Sequence, residues 1–234
     1  LKYRLQSQQG RSNIKHLVVD EMQDYSRLQY EIIQRIFSCR MTILGDRAQT
    51  MDDKQQDVLT FLPKIFGRDI HKIIMNKSYR NTVEIATYAN RLAGIEDMEL
   101  FERHGAPVEE KVFADVKAAV KEIQDMLKLG EEEYETAAVI LRTEKEAEQV
   151  WLLLKEELEK TDFDVKNRLS WLDRNSTSFR KGLTVTTFYL AKGLEFDQVF
   201  AVFPEKDQTP LAEQARYIAA TRALHELHMY ELEN

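Results

Sequence analysis

The 234-residue chain has a single cysteine, Cys39, so no disulfide can form within it. That count fits a reducing cytosol, and a small apolar filler is the expected role. Four prolines and eight glycines are too few for long flexible linkers. No apolar run approaches the roughly 20 residues of a membrane helix, and the opening LKYRLQSQQGRS lacks the apolar centre of a signal peptide. Positive charge is also short. A formal net charge of -7 argues against wholesale coating of nucleic acid and leaves room for a local basic groove. The five histidines have no metal-ligand spacing, and His225 and His228 are expected at the surface or an edge. No GxxxxGK(S/T) occurs. The only Lys-Gly pairs, Lys181-Gly182 and Lys192-Gly193, run in the wrong order for a phosphate-cradling loop. The chain does not open on Met, and an excised piece of a longer protein is expected.

What is present is a sizeable apolar fraction, 43%, arranged as alternating short buried runs and amphipathic segments. Strands are expected at 15–19, 41–44, 72–75, 112–113, 137–141, 163–165, 183–188, 198–203 and 227–230. Helices are expected at 26–37, with Leu28, Ile32, Ile33 and Ile36 on one face, and at 55–62 before Pro63. Further helices are expected at 82–93, after the cap Asp115, at 143–159 and at 211–224. Strands alternating with helices of this length imply a mainly parallel sheet with crossover helices. Trp151 on a helix and Trp171 in a turn-rich stretch are expected to be packing anchors.

The stretch HLVVDEMQDYSRLQ carries the sharpest chemistry. Leu17-Val18-Val19 stops at two acids, Asp20 and Glu21, which puts carboxylates at the C-terminal end of a buried strand. That is where ligands sit in open α/β sheets. Such a pair suits Mg²⁺-nucleotide chemistry, one acid holding the ion through water and the other orienting or deprotonating an attacking water. Capping of the next helix is the alternative role.

Five patches follow in order: DEMQD, GDRAQ, SYRN, KGLEFD and RYIAATRA. In this series the chain resembles the superfamily 1 helicases of the UvrD/Rep/PcrA type, whose motifs run DExQD, GDxxQ, (S/N)YR, KGLEFD and YxAxTRA. The resemblance implies a P-loop NTPase (RecA-like) α/β fold. Residues 1–75 would be the C-terminal part of the first lobe and 76–234 the whole second lobe. ATP and Mg²⁺ would be the cofactors and single-stranded DNA the partner, in the cytoplasm and away from membranes.

By the same resemblance Asp20 would bind Mg²⁺ and Glu21 would be the base. Gln49 would sense the γ-phosphate, and Arg80 and Arg222 would be arginine fingers. Tyr79 would stack on adenine, Glu195 would accept from the ribose, and Lys192 and Gly193 would lie in a loop near the interface of the two lobes. Thr187 and Tyr189 would touch the single strand. Surface salt bridges remain the alternative for the arginines, core packing for Tyr79 and Tyr189, and simple solvation for Glu195. Arg168, Arg174, Arg180 and Lys181 either line a phosphate path or solvate a loop.

The sequence departs from the pattern at Met51-Asp52-Asp53-Lys54, where the family carries an aromatic wedge, and at Tyr189, where it usually has His. The phosphate-cradling loop is expected in the N-terminal remainder of the same protein, so this chain alone is expected to hydrolyse ATP negligibly. The short interval from SYRN to KGLEFD leaves no space for a large inserted domain. It looks most like the HelD (helicase IV-like) branch, some of whose members bind RNA polymerase and use ATP to free it from nucleic acid.

Overall fold

A computed structural model describes residues 13–49, 58–67, 69–130, 134–176, 180–205 and 209–233. The expectations at 51–54 and at the start of the 55–62 helix lie outside them. The chain divides into two compact units between Met75 and Asn76. Among the described residues no helix is long and apolar enough to cross a membrane.

In the first unit β1 (His16–Val19) pairs in parallel with β2 (Arg40–Ile43). Between them runs α1 (Arg27–Ile36), opened by a Ser26–Gln29 capping box that satisfies two end donors reciprocally. α2 (Val58–Phe66) completes the core. The buried centre is Tyr30, with Val19, Val58, Phe61 and Leu62 around it. α1 therefore faces inward through Tyr30 and Ile33, while Leu28 and Ile36 are exposed, which corrects the expected apolar face. α2 also continues past Pro63 rather than stopping before it. The rings of Phe61 and Phe66 both reach Tyr30, at 6.0 and 6.2 Å. Burial on either side of Pro63 outweighs its helix-breaking tendency.

The second unit is built on six parallel strands in the order β5-β10-β9-β6-β8-β7. These are β5 (Glu109–Phe113), β6 (Thr136–Leu141), β7 (Leu169–Trp171), β8 (Gly182–Thr187), β9 (Phe196–Pro204) and β10 (Ala223–Leu232). The middle strands read as near-continuous buried runs because both faces are covered. α4 (Val116–Met126) and α5 (Glu144–Leu158) pack on one face over Val139, Leu141, Val185 and Phe200. α3 (Val83–Ala93) and α7 (Pro210–Ala220) pack together against β9 and β10 on the other. A small parallel pair, β3 (Lys77–Ser78) with β4 (Glu99–Leu100), precedes the sheet in the chain. The fold class is the expected one, an α/β parallel sheet flanked by helices.

Three further segments differ from expectation. Residues 72–75 are not a strand. Ile73, Ile74 and Met75 are each more than 70% exposed, and β-branched residues need a paired edge and a covered face to form one. Residues 163–165 give way to a short helix, α6 (Val165–Arg168), because the Asp164 carboxylate accepts from Asn167 N at 3.2 Å and caps it. Trp171 then lies in β7, edge-on to Trp151 at 5.5 Å. Finally, α7 ends at Ala220 and β10 starts at Ala223, where pairing with Phe196 on β9 overrides the helical periodicity. This places His228 inside the sheet at 1% exposure rather than at the surface. His225 also lies in the strand, stacked on Tyr134 at 5.8 Å.

Candidate functional site

The first unit gathers acids and amides at the carboxyl ends of β1 and β2. Leu44 N donates to Val19 O and Met22 N to Leu44 O, both at 2.8 Å, so the chain leaving β1 is laced across the end of β2. Gly45 permits this, since a Cβ there would sit 2.7 Å from Met22 N. Between the lacing bonds lie Asp20 and Glu21. Glu21 takes a left-handed backbone (φ 52°, ψ 51°), the sole non-glycine with positive φ among the described residues. That conformation costs on the order of 1 kcal/mol and recurs at functional sites. Neither acid caps α1, which is the work of Ser26.

Gln23 ties the cluster together. Its amide donates to Glu21 Oε2 at 2.5 Å and its carbonyl oxygen accepts from Asp46 N at 3.1 Å. Asp46 accepts in turn from Gln49 Nε2 at 3.0 Å and from Ala48 N at 2.9 Å. Tyr30 donates to Met22 O at 3.0 Å, anchoring the turn to the core. Gln23 and Asp46 are the members to which sequence reasoning gave no role. Their signal was present, since both lie inside the DEMQD and GDRAQ patches. No group of three or more His, Cys, Asp or Glu among the described residues is set to hold a metal ion. A Mg²⁺ site made with substrate phosphates needs only one or two carboxylates.

In the second unit, residues far apart in the chain meet at the amino edge of the sheet. Glu195 lies just before β9, Arg222 just before β10, and Arg80 two residues after β3. Arg80 Nε pairs with Glu195 Oε1 at 2.6 Å. Arg222, 2% exposed, donates to Ile218 O at 3.2 Å, Leu194 O at 3.4 Å and Thr221 Oγ1 at 3.0 Å. Its guanidinium thus rests against the same Leu194-Glu195 segment that pairs with Arg80. Lys192 and Gly193 form the turn before that segment. Gly193 has φ 81° with nothing near where a Cβ would lie, so backbone conformation explains the glycine. Tyr79 is not a core residue. It is 64% exposed, with its ring 5.7 Å from Phe101.

The opposite, carboxyl edge holds Thr187 and Tyr189. Thr187 ends β8 buried, its hydroxyl without a hydrogen bond among the described residues. Tyr189 donates to Glu144 Oε1 at 2.7 Å, and Arg174 lies over its ring at 5.6 Å while pairing with the same carboxylate at 2.7 Å. Lys181 is at the other edge, paired with Glu135 at 2.7 Å. Lys181 and Arg174 therefore do not belong to one continuous phosphate path.

The model of the UvrD/REP helicase N-terminal domain matches residues 4–51, and that of the UvrD-like helicase C-terminal domain matches residues 182–230. The first match spans Asp20, Glu21 and Gln49, and the second spans Thr187 through Arg222. No curated protein matches the chain in sequence. Among solved structures, the chain is similar to the C-terminal domain of a possible DNA helicase from Lactobacillus plantarum WCFS1. The two share 25% identity and a TM-score of 0.51, over 66% of this chain and 88% of that one. Two viral structures also align, the PRRSV helicase (15% identity, TM-score 0.48, 93% of this chain and 35% of that one) and the Arterivirus nonstructural protein 10 helicase (13%, 0.44, 92% and 38%). This chain spans just over a third of each viral chain. Two segments of the chain thus match models of UvrD-like helicase domains, and its six-stranded parallel α/β sheet flanked by helices is similar in fold to a helicase C-terminal domain.

Proposed function

We propose that this chain is the C-terminal motor portion of an ATP-dependent superfamily 1 DNA helicase or translocase. It would couple ATP hydrolysis to movement on single-stranded DNA in the cytoplasm. Residues 1–75 would be part of the first RecA-like lobe and 76–234 the second. The observation that carries this is the convergence of Arg80, Glu195 and Arg222, drawn from three separate patches, on one edge of one sheet.

The side chains fit the cofactors. Asp20 offers a hard carboxylate oxygen suited to Mg²⁺, and planar guanidiniums suit the spread charge of a transferring phosphoryl group. Bound Mg²⁺-ATP would supply the phosphoryl group and a divalent charge beside it. Asp20 would hold the ion, and Glu21, its carboxylate oriented by Gln23, would accept the proton of the attacking water. Gln49 reads the terminal phosphate with its amide. Arg80 exchanges its Glu195 partner for phosphate oxygen, and Arg222 reinforces that charge. Tyr79 presents an open ring to adenine, and Glu195, once released, accepts from the ribose. Lys192 and Gly193 shape the turn that carries Glu195. At the far edge Thr187 and Tyr189 meet the DNA strand, where ring stacking is available to Tyr189. With no GxxxxGK(S/T) in its sequence, this chain alone turns over ATP negligibly.

A second reading has its own support. The described residues between Arg80 and Lys192 are used by α3, β4, the strands β5 to β8 and the helices α4 to α6, with no inserted domain among them. That brevity favours a HelD-like factor that binds RNA polymerase and spends ATP on releasing it from nucleic acid. The two readings separate in the full-length protein. Strong ATPase stimulation by single-stranded DNA without polymerase capture supports the translocase, and polymerase capture without such stimulation supports the recycling factor. ATPase activity indifferent to both partners overturns both.

A further inference from the structure

Two side chains with no part in the scheme above connect the backbones that carry the two arginines. Asn81 Nδ2 donates to Ala223 O at 2.6 Å and reaches Thr221 O at 3.4 Å, the carbonyls on either side of Arg222. Arg103 donates through one terminal nitrogen to Arg80 O and, at 2.8 Å, to Leu224 O. The Arg103 backbone is itself fixed, its carbonyl accepting from Val83 N at 2.9 Å at the start of α3. A direct link from Asn81 and a bridge through Arg103 thus tie Tyr79-Arg80-Asn81 to Thr221-Arg222-Ala223-Leu224, segments about 140 residues apart.

Stability alone is a weak reason for Arg103. Its Nε is buried with no hydrogen-bond partner among the described residues, an expensive way to fill space. One terminal nitrogen of a rigid, planar guanidinium reaches both carbonyls, its two N–H bonds fixed in direction where those of an ammonium rotate on a flexible stem. Resting on the phosphate role given above to Arg80 and Arg222, we infer that Asn81 and Arg103 are positioning residues that set the separation of those two arginines. Neither touches nucleotide. They hold two catalytic backbones in register, so that both guanidiniums meet the same developing charge. A displacement of about 1 Å in such a pair costs about a hundredfold in rate.

The test uses the full-length protein with single-stranded DNA, measuring kcat and KM for ATP together with thermal unfolding. Asn81→Asp keeps size but turns the donor into an acceptor facing two carbonyls, and Arg103→Lys keeps charge but loses the rigid placement of the nitrogen that reaches Arg80 O and Leu224 O. Each is expected to lower kcat about a hundredfold with KM within about threefold. The decisive readout is the same substitution placed on Arg80→Ala. There it is expected to cost little more, because the residue it positions is gone. Equal losses with and without Arg80 overturn the inference, as does wild-type kcat in a folded Asn81→Asp or Arg103→Lys protein. Should Asn81→Asp fail to fold, Asn81→Ser is read in the same way. Wild-type turnover in Arg80→Ala itself would instead overturn the phosphate role, a different failure.

Discussion

Glu226 on β10 offers a stability test of the second unit whose size follows from its contacts. The carboxylate is 3% exposed and sits between Lys128 Nζ (2.7 Å), Tyr134 OH (3.2 Å), His228 Nε2 (2.9 Å) and Gln198 Nε2 (3.3 Å). Burial pushes its pKa upward, but the hydrogen bonds and charges of His228 and Lys128 outweigh that and bring it down from 4.5 to about 2. A carboxylate lowered in this way stabilises the fold above its unfolded pKa. That contribution is lost as pH falls from about 4.5 towards 2. Over that interval the linkage is worth about 3 kcal/mol. Glu226→Gln imitates the protonated acid. At pH 7 the variant should be about 3 kcal/mol less stable than the wild type, and the two should converge as pH approaches 2. Urea unfolding at a series of pH values measures this directly. A gap that stays constant with pH, or grows on acidification, would refute the assignment of acid lability to this carboxylate.

Two further substitutions test the scaffolding of the sites. Tyr30→Phe removes the hydroxyl that holds Met22 O and should cost the first unit about 1 to 2 kcal/mol in urea unfolding; no loss would mean that the turn after Glu21 is held without it. Gly182→Ala should destabilise the second unit by more than about 1 kcal/mol. Gly182 has φ 119°, and an added Cβ would run into the backbone of Arg168. A variant that unfolds at the wild-type urea midpoint would contradict that strain.

How much was legible beforehand varies with the kind of signal. Capped helices were readable because side-chain chemistry marks their ends locally, as Ser26, Thr82, Asp115 and Thr143 do. Central strands were readable because burial on both faces leaves an unbroken apolar run, as in β6. The failures came where a distant partner decides. Nothing local in Ile73-Ile74-Met75 reveals that no strand among the described residues pairs with them. The length of β10 depends on β9, and α2 passes Pro63 because Tyr30 receives rings from both sides of it. For the candidate site, motif order supplied the residue names, while the Arg80–Glu195 pair, the burial of Arg222 and the links made by Asn81 and Arg103 are tertiary facts that spacing does not encode.

The claim that Glu21 is the base of an ATP motor is tested most directly by Glu21→Gln in the full-length protein, with turnover and nucleotide binding measured side by side. The account predicts that DNA-stimulated ATP hydrolysis is abolished while ATP still binds. Hydrolysis retained at the wild-type rate would contradict it.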